Sequence, residues 1–392
     1  MVDFNNTQTA FAYKSNRELI RDYQIFRLIN VGWLVDIGTK TASRMMDMGI
    51  KTPVAMGMRP TIYAVFCGGD SLELATKKIN HLYEYGVRSI LDYGVEGKES
   101  EEDFQRTEDA IRQAIFFAKN YNAVDIVCSK FTGLIPLSIL ERLHAKETLS
   151  PTERPVFETA KSRIYNLAQL AHDNNVSLFV DAEESWIQQP LDDLTWDLMS
   201  KFNKEKPIIY NTVQLYRKDR LQFFKEQAEK AKQAGFIYAV KLVRGAYMEK
   251  EEIRASKMGY DNPIQISKSH TDNDYNEAVK YAIENIGHVA ICVATHNEES
   301  TLLAIQLMQQ GNLSNNHPHI HFSQLLGMSD HITFNLAKKG YNTSKYMPYG
   351  PVKDVIPYLI RRAQENTSVS GQMGRELKLL KQEVRRRKLF IL

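Results

Sequence analysis

Ionisable and amide side chains recur directly after short apolar runs of the sequence. Lys130 and Asp181 follow neighbouring runs, so we expect them to form an ion pair. Such a pair either holds the lysine charged for an anionic ligand or is purely structural. Any one of these polar groups alone is more often a salt bridge or a cap, but the set together favours an active site at the strand ends of a barrel. The set comprises Asp92, Lys130, Asp181, Gln214, Lys241, Arg244, Thr295 and His296.

A second group of polar side chains lies in the segment 357–365. Tyr358, Arg361, Arg362 and Glu365 are spaced i, i+3, i+4 and i+7, which puts them on one stripe of a helix. Adjacent arginines offer planar forks that suit a carboxylate or a phosphate. The stripe therefore predicts an anion clamp, with a solvated helix face as the alternative.

The segment 241–247 combines cationic, small and aromatic residues. Arg244 is suited to a diphosphate, Gly245 and Ala246 let a ligand approach the backbone, and Tyr247 can stack on a flat ring. Gln214 can hydrogen-bond the edge of a heteroaromatic ring. This combination indicates a dinucleotide that carries both phosphates and a planar ring.

Eight runs rich in β-branched and aromatic residues predict the strands that position these groups. Helical periodicity between them predicts helices over 72–85, 110–119, 221–235, 275–286 and 300–308. Strands that alternate with helices form parallel sheets, and eight such units favour a (β/α)₈ barrel. A doubly wound open sheet is the alternative, although no GxGxxG or P-loop motif is present. The predicted strands are 61–67, 87–93, 124–130, 176–181, 207–214, 238–244, 288–295 and 319–323.

The pattern predicts three parts of the chain. Residues 1–58 have helical periodicity, 59–370 form the barrel, and 371–392 form an amphipathic tail with seven basic and two acidic residues. The leucines and valine of this tail either anchor the protein on a membrane surface or pack back on the barrel. The segment 345–351, rich in aromatic residues and proline, reads as a loop after the last strand.

Composition excludes several classes of protein. The chain has 392 residues with 50 Lys+Arg against 47 Asp+Glu and 43% apolar residues, which is typical of a globular protein and not of a nucleic-acid binder. Three separated cysteines predict neither a disulfide framework nor a zinc site, and the histidines at 317, 319 and 321 predict no metal centre. The first residues lack the basic and apolar regions typical of a signal peptide, and no apolar run is long enough to span a bilayer. We therefore expect a cytoplasmic protein, attached to a membrane at most peripherally.

Seven ordered motif blocks resemble the proline dehydrogenase family. The resemblance covers residues 63–367 and implies a distorted (β/α)₈ TIM-like barrel. It also implies FAD, bound non-covalently because no His or Cys stands in a flavinylation motif. The implied reaction is oxidation of L-proline to Δ1-pyrroline-5-carboxylate by hydride transfer to flavin N5, with a quinone as electron acceptor. The chain is similar to the single-function form. The blocks are 179–184, 210–214, 241–247, 294–297, 324–328, 345–351 and 358–366.

The resemblance assigns roles to individual residues. Arg361 and Arg362 clamp the substrate carboxylate with help from Lys130, and Asp181 holds the lysine. Tyr346 and Tyr358 wall the substrate ring. The positions that match FAD-binding residues are Gln214, Lys241, Val243, Arg244, Gly245, Ala246, Tyr247, Thr295, His296, Asn297, Gln324, Leu325 and Glu365.

Three other functions stay open at this point. A hydroxyproline dehydrogenase is the nearest, although the large side chain of Tyr346 favours proline. A barrel aldolase would use Lys130 or Lys241 for a Schiff base. A non-catalytic barrel that only binds a ligand is the third.

Overall fold

The computed structural model describes residues 2–30, 41, 44–45, 48, 51–94, 100–368 and 372–389. The side chains of residues 51, 362–368 and 372–373 are outside this description. Within the described residues, eight parallel strands form a closed barrel in chain order, and β1 pairs with β8. This confirms the predicted (β/α)₈ fold. The strands are β1 Arg88–Tyr93, β2 Val124–Ser129, β3 Ser177–Val180, β4 Ile209–Gln214, β5 Tyr238–Val243, β6 Val289–Ala294, β7 Ile320–Leu325 and β8 Thr343–Tyr349.

The first predicted strand, 61–67, is wrong. Arg59–Tyr63 is a π-helix and Ala64–Phe66 continues as an α-helix. A short apolar run does not distinguish a strand from a buried helix, because both bury all of its side chains. Here the ammonium group of Lys78 donates to the carbonyls of Ala64 and Cys67, at 3.0 and 2.7 Å, and so satisfies the carbonyls of the helix end.

The missing eighth strand is β8, which lies mostly in the segment predicted to be a loop. Pro348 stands inside it and pairs with Asp92 of β1. Because proline cannot donate a ladder hydrogen bond, its presence argued against a strand. The Pro348 carbonyl still accepts a hydrogen bond of 2.8 Å from the Gly68 amide.

Helices connect the strands, and the predicted helices are all present. Several begin at a serine N-cap whose hydroxyl accepts a hydrogen bond from a backbone amide of the first turn, as at Ser71, Ser100 and Ser267. Before β1 the helices are Thr7–Ala10, Asn16–Ile29, Lys51–Met58 and Leu72–Tyr83. After β1 they are Glu101–Lys119, Leu137–His144, Glu153–Asp173, Ser185–Phe202, Arg220–Gln233, Met248–Met258, Lys268–Glu284, Glu298–Gln310, Asp330–Ala337, Val352–Ser368 and Gln372–Arg386.

The chain groups into two compact units. One contains residues 1–96, 296–298 and 323–392, and the other contains 97–295 and 299–322. In the first unit, the helix Gln372–Arg386, which we call the basic helix, shares a hydrophobic cluster with the helix Asn16–Ile29. Leu379, Leu380 and Val384 are buried in this cluster. Their burial favours packing over membrane anchoring for this part of the tail, and 390–392 lie outside the described residues.

Among the described residues, no helix combines the length and the apolar character that crossing a bilayer requires.

Candidate active site

Lys241 and Asp181 form a buried ion pair in the second unit. Lys241 lies on β5 and Asp181 directly follows β3, and the two side chains hydrogen-bond. Side chains from alternate strands share a layer inside a (β/α)₈ barrel, which explains how β3 and β5 meet. Burial alone would lower the pKa of Lys241, but the Asp181 carboxylate outweighs it and the pKa is raised. Lys241 therefore remains an ammonium.

Lys130 is the second cation beside this carboxylate. It follows β2, and its Nζ lies 3.6 Å from Asp181 Oδ2 with the lysine side chain 17% exposed. The predicted Lys130–Asp181 pair is confirmed, whereas the pairing of Asp181 with Lys241 was not predicted. Two lysine ammonium groups thus lie against the Asp181 carboxylate.

Glu183 is a buried carboxyl that sequence reasoning did not assign to the site. It accepts hydrogen bonds from the backbone amide of Thr132 at 3.2 Å and from the Thr132 hydroxyl. Thr132 belongs to the short turn Phe131–Gly133 that begins at Lys130. Burial raises the pKa of Glu183 to about 7, although the Thr132 hydrogen bonds oppose the shift. The carboxyl therefore fixes the turn next to Lys130.

Arg244 is held by several side chains of the same unit. Its Nε donates to Asp272 at 2.7 Å, Nη1 to Thr295 at 2.7 Å and Nη2 to Ser300 at 3.0 Å. Its guanidinium also lies 4.4 Å from the centre of the Tyr275 ring. The structure thus brings Arg244 and Thr295 together, as expected of two residues of one ligand site. Asp272 was missed because it comes from a helix with no motif of its own.

The turn after Arg244 exposes its backbone. Gly245 has φ +142°, and a Cβ at this position would collide with the ring of Tyr216. Only glycine fits here, because the φ angle and the ring both exclude a side chain. Gly245 and Ala246 are exposed, and Tyr247 is half-buried with the Lys250 ammonium 5.3 Å from its ring centre.

Gln214 and Val243 end adjacent strands of the barrel. They are register partners on β4 and β5. Gln214 is buried, whereas Val243 is half-buried. The two positions therefore place an amide and an apolar side chain next to the exposed turn.

In the first unit, the remaining predicted cofactor residues are tied to the segment after β7. His296 Nδ1 lies 2.9 Å from the Ser329 hydroxyl. Gln324 is buried on β7, and its side-chain oxygen accepts a hydrogen bond of 2.7 Å from Thr333. Leu325 and Asn297 are half-buried. No sequence pattern pointed to Ser329.

The predicted substrate residues of this unit lie on β8 and on the helix Val352–Ser368. Tyr346 is half-buried on β8, opposite Ile90 of β1. Tyr358 is buried, and Arg361 follows it by three residues on the same face of the helix. The side chains of Arg362 and Glu365 lie outside the described part of the chain.

Comparisons with known proteins agree with this architecture. A proline dehydrogenase family model matches residues 75–375. The mitochondrial proline dehydrogenase 1 of Dictyostelium discoideum is 30% identical over 97% of this chain and 74% of its own length. The hydroxyproline dehydrogenase of Xenopus laevis is 30% identical over 96% of this chain and 89% of its own length.

A solved structure shows the same fold. It is proline utilization A from Bdellovibrio bacteriovorus, inactivated by N-propargylglycine, with a TM-score of 0.73 and 22% sequence identity over 95% of this chain. The present chain spans 40% of the length of that protein.

Fold and family matches together define an oxidoreductase built on a (β/α)₈ barrel. The chain belongs to the proline dehydrogenase family.

Proposed function

We propose that this protein oxidises L-proline to Δ1-pyrroline-5-carboxylate, with non-covalent FAD as the oxidant and a quinone as the final electron acceptor. One observation carries the proposal: the ammonium groups of Lys130 and Lys241 both lie against the Asp181 carboxylate, which brings two cations to one place in the barrel and suits an anionic ligand. Membership of the proline dehydrogenase family supports a cyclic amino acid as that ligand.

The residues of the second unit fit a flavin dinucleotide. The exposed backbone at Gly245 and Ala246 admits a diphosphate, and the Arg244 guanidinium supplies the charge to bind it. Lys241 keeps its charge and Gln214 offers an amide, both suited to the polar edge of an isoalloxazine. Bound there, FAD would supply the chemistry by accepting a hydride at N5. Val243, Tyr247, Thr295, His296, Asn297, Gln324, Leu325 and Glu365 complete the proposed set.

The substrate carboxylate is the proposed target of the arginine pair. Arg361 and Arg362 present two planar guanidinium forks, and Lys130 adds a point charge. Anchoring the carboxylate restricts the ring to one orientation, with Tyr346 and Tyr358 as its walls. Such orientation replaces a bimolecular search with a near-attack geometry.

The substrate amine must be neutral to lose a hydride from the adjacent carbon. Cationic neighbours disfavour an ammonium group and lower the amine pKa. We therefore expect the rate of flavin reduction to fall in acid. A rate that stays constant between about pH 6 and pH 9 would contradict this account.

Oxidation of hydroxyproline is the second candidate, because the Xenopus laevis relative is named for it. The large side chain of Tyr346 restricts the room for a ring hydroxyl and favours proline. Schiff-base chemistry at Lys241 is disfavoured, since a nucleophilic lysine needs a lowered pKa and that of Lys241 is raised.

The test is the visible absorption spectrum of the purified protein under anaerobic conditions. We expect the bands of an oxidised flavin, bleached by L-proline and not by trans-4-hydroxyproline. Bleaching by hydroxyproline alone would support the second candidate. A colourless protein that FAD does not restore would overturn the proposal.

A further inference from the structure

Ser329 has an unusual backbone conformation next to the predicted cofactor residues. Its φ is 51° and its ψ is 43°, in the left-handed region that a non-glycine residue adopts only when its surroundings hold it there. The residue stands between β7 and the helix Asp330–Ala337. Hydrogen bonds from outside this segment help to stabilise this conformation.

The basic helix supplies that support. The Ser329 amide donates a hydrogen bond of 3.0 Å to the carboxylate of Glu376, which is 6% exposed. The Ser329 hydroxyl lies 2.9 Å from Nδ1 of His296. A continuous path thus runs from Glu376 through Ser329 to His296, a proposed FAD-binding residue.

A second path starts at the neighbouring residue of the same helix. Arg375 donates to Glu298 from Nε at 2.7 Å and from Nη2 at 3.3 Å, an approximately bidentate contact. His331 Nε2 lies 3.0 Å from the same carboxylate. These contacts lower the pKa of Glu298 to about 2 in spite of the opposing effect of burial. Glu298 stands two residues after His296, so the two paths hold both ends of the segment 296–298.

We propose that the basic helix positions the FAD-binding segment 296–298, with Arg375 and Glu376 as positioning residues. This inference rests on the proposed function, because only FAD binding gives His296 and Asn297 their role. It assigns to the tail a task in cofactor retention. A purely structural brace is the competing explanation, and it predicts loss of stability without a specific loss of FAD.

The two explanations separate in the rate at which the full-length holoenzyme releases FAD. Release is followed by the fluorescence of free flavin after dilution, and thermal unfolding is measured on the same samples. We expect Glu376→Gln and Arg375→Met each to accelerate release about tenfold, equivalent to about 1.4 kcal/mol. The Gln side chain keeps the size of Glu376 but weakens the bond to the Ser329 amide.

Glu383→Gln is the matched control. Glu383 is a fully buried carboxylate of the same helix, and it accepts hydrogen bonds from Arg386 and Arg387. We expect this variant to lower the unfolding temperature and to leave FAD release within about twofold of the wild type. If Glu376→Gln behaved in the same way as Glu383→Gln, the basic helix would be a structural brace only.

Ser329→Ala tests the path without touching the basic helix, in case the Glu376 variant does not fold. It removes the hydroxyl that contacts His296 and keeps the hydrogen bond from the Ser329 backbone amide to Glu376. We expect FAD release to accelerate about fivefold. If the wild-type protein binds FAD and Ser329→Ala releases it at the wild-type rate, the inference is overturned. A wild type that binds no FAD would overturn the proposed function and this inference with it.

Discussion

Two buried lysine–aspartate pairs of this barrel differ in the direction in which the lysine pKa is shifted. Lys241 pairs with Asp181, and Lys345 of β8 lies 2.9 Å from Asp330. Burial lowers the pKa of each lysine, but the net direction differs. For Lys241 the aspartate outweighs burial and the pKa is raised, whereas for Lys345 burial dominates and the pKa is lowered.

The charged neighbours of the two pairs also differ. Asp330 also lies 3.3 Å from Lys14, Lys14 pairs with Asp22 at 2.7 Å, and Asp22 in turn pairs with Arg21 at 2.7 Å. Around Asp181 two lysines meet one aspartate. Each aspartate therefore meets two lysines, but at Asp330 one of them, Lys14, has a second aspartate partner. A buried lysine–aspartate pair therefore does not by itself indicate a ligand site, and we infer one at Asp181 because Lys130 and Lys241 stand among the proposed substrate and cofactor residues.

Removal of the shared carboxylate is the strongest test of this comparison. Asp181→Asn would leave two cations side by side, one of them buried, and we expect a loss of about 3 to 5 kcal/mol in the free energy of unfolding. Activity with L-proline should fall to background. Urea unfolding and anaerobic flavin reduction measure the two effects.

The double variant Asp181→Asn/Lys241→Met provides the control. It removes the unpaired buried charge together with its partner, so stability should return toward that of the wild type while activity stays lost. A single Asp181→Asn variant as stable as the wild type would contradict the charge assignment.

Lys345→Met tests the region around Asp330. Removing this buried ammonium leaves Asp330 with Lys14 and the Tyr13 hydroxyl, and we expect a loss of about 3 kcal/mol in the free energy of unfolding. The KM for L-proline should stay within about twofold of the wild type, because Lys345 is not among the proposed substrate or cofactor residues. A rise in KM as large as the one caused by a variant at Asp181 or Lys130 would erase the distinction between the regions.

Glu183 gives the region around Lys130 a pH-dependent contribution to stability. Its folded-state pKa of about 7 lies above the ordinary value of 4.5, so the protonated form favours the folded state. The stability contributed by this shift is fully present below about pH 4.5 and is lost as the pH rises through 7.

Glu183→Gln should remove this pH dependence, since Gln does not titrate and still reaches both Thr132 groups. We expect the variant to match the wild type at acid pH and to exceed its unfolding free energy by up to about 3 kcal/mol above pH 7. Urea unfolding as a function of pH measures this. The control is Glu252→Gln at an exposed position, which should keep the wild-type pH profile. An unchanged profile for Glu183→Gln would contradict the raised pKa.

Much of the fold could be predicted from the sequence, because each strand has its own local pattern of β-branched and aromatic residues. Seven predicted strands correspond to β1 through β7. Residues 61–67 were wrongly predicted to be a strand and the strand Thr343–Tyr349 was missed, and each error has a physical cause. Residues 61–67 have the composition of a strand but belong to a largely helical segment. The missed strand contains Pro348, a residue type that rarely occurs inside a strand.

Contacts between site residues could be predicted only for residues that follow adjacent strands of the barrel. Lys130 and Asp181 follow adjacent strands, so their pairing was foreseen. Lys241 reaches Asp181 from β5, two strands away, and the layering of alternate strands in a barrel is the signal that would have found it. Ser329 and Glu376 are 47 residues apart, and no periodicity links them.

Lys130→Met gives the smallest expected effect on stability and tests whether the cations at Asp181 serve the substrate. Lys130 is partly exposed and lies 3.6 Å from Asp181, so its loss should change the free energy of unfolding by less than about 1 kcal/mol. It should raise the KM for L-proline about tenfold, because one of three proposed cations for the carboxylate is removed. Steady-state kinetics with L-proline measure this change. Lys250→Met, which removes an exposed lysine paired with Glu184, should leave KM unchanged. Equal KM values for both variants would mean that the charge near Asp181 serves the fold and not the substrate.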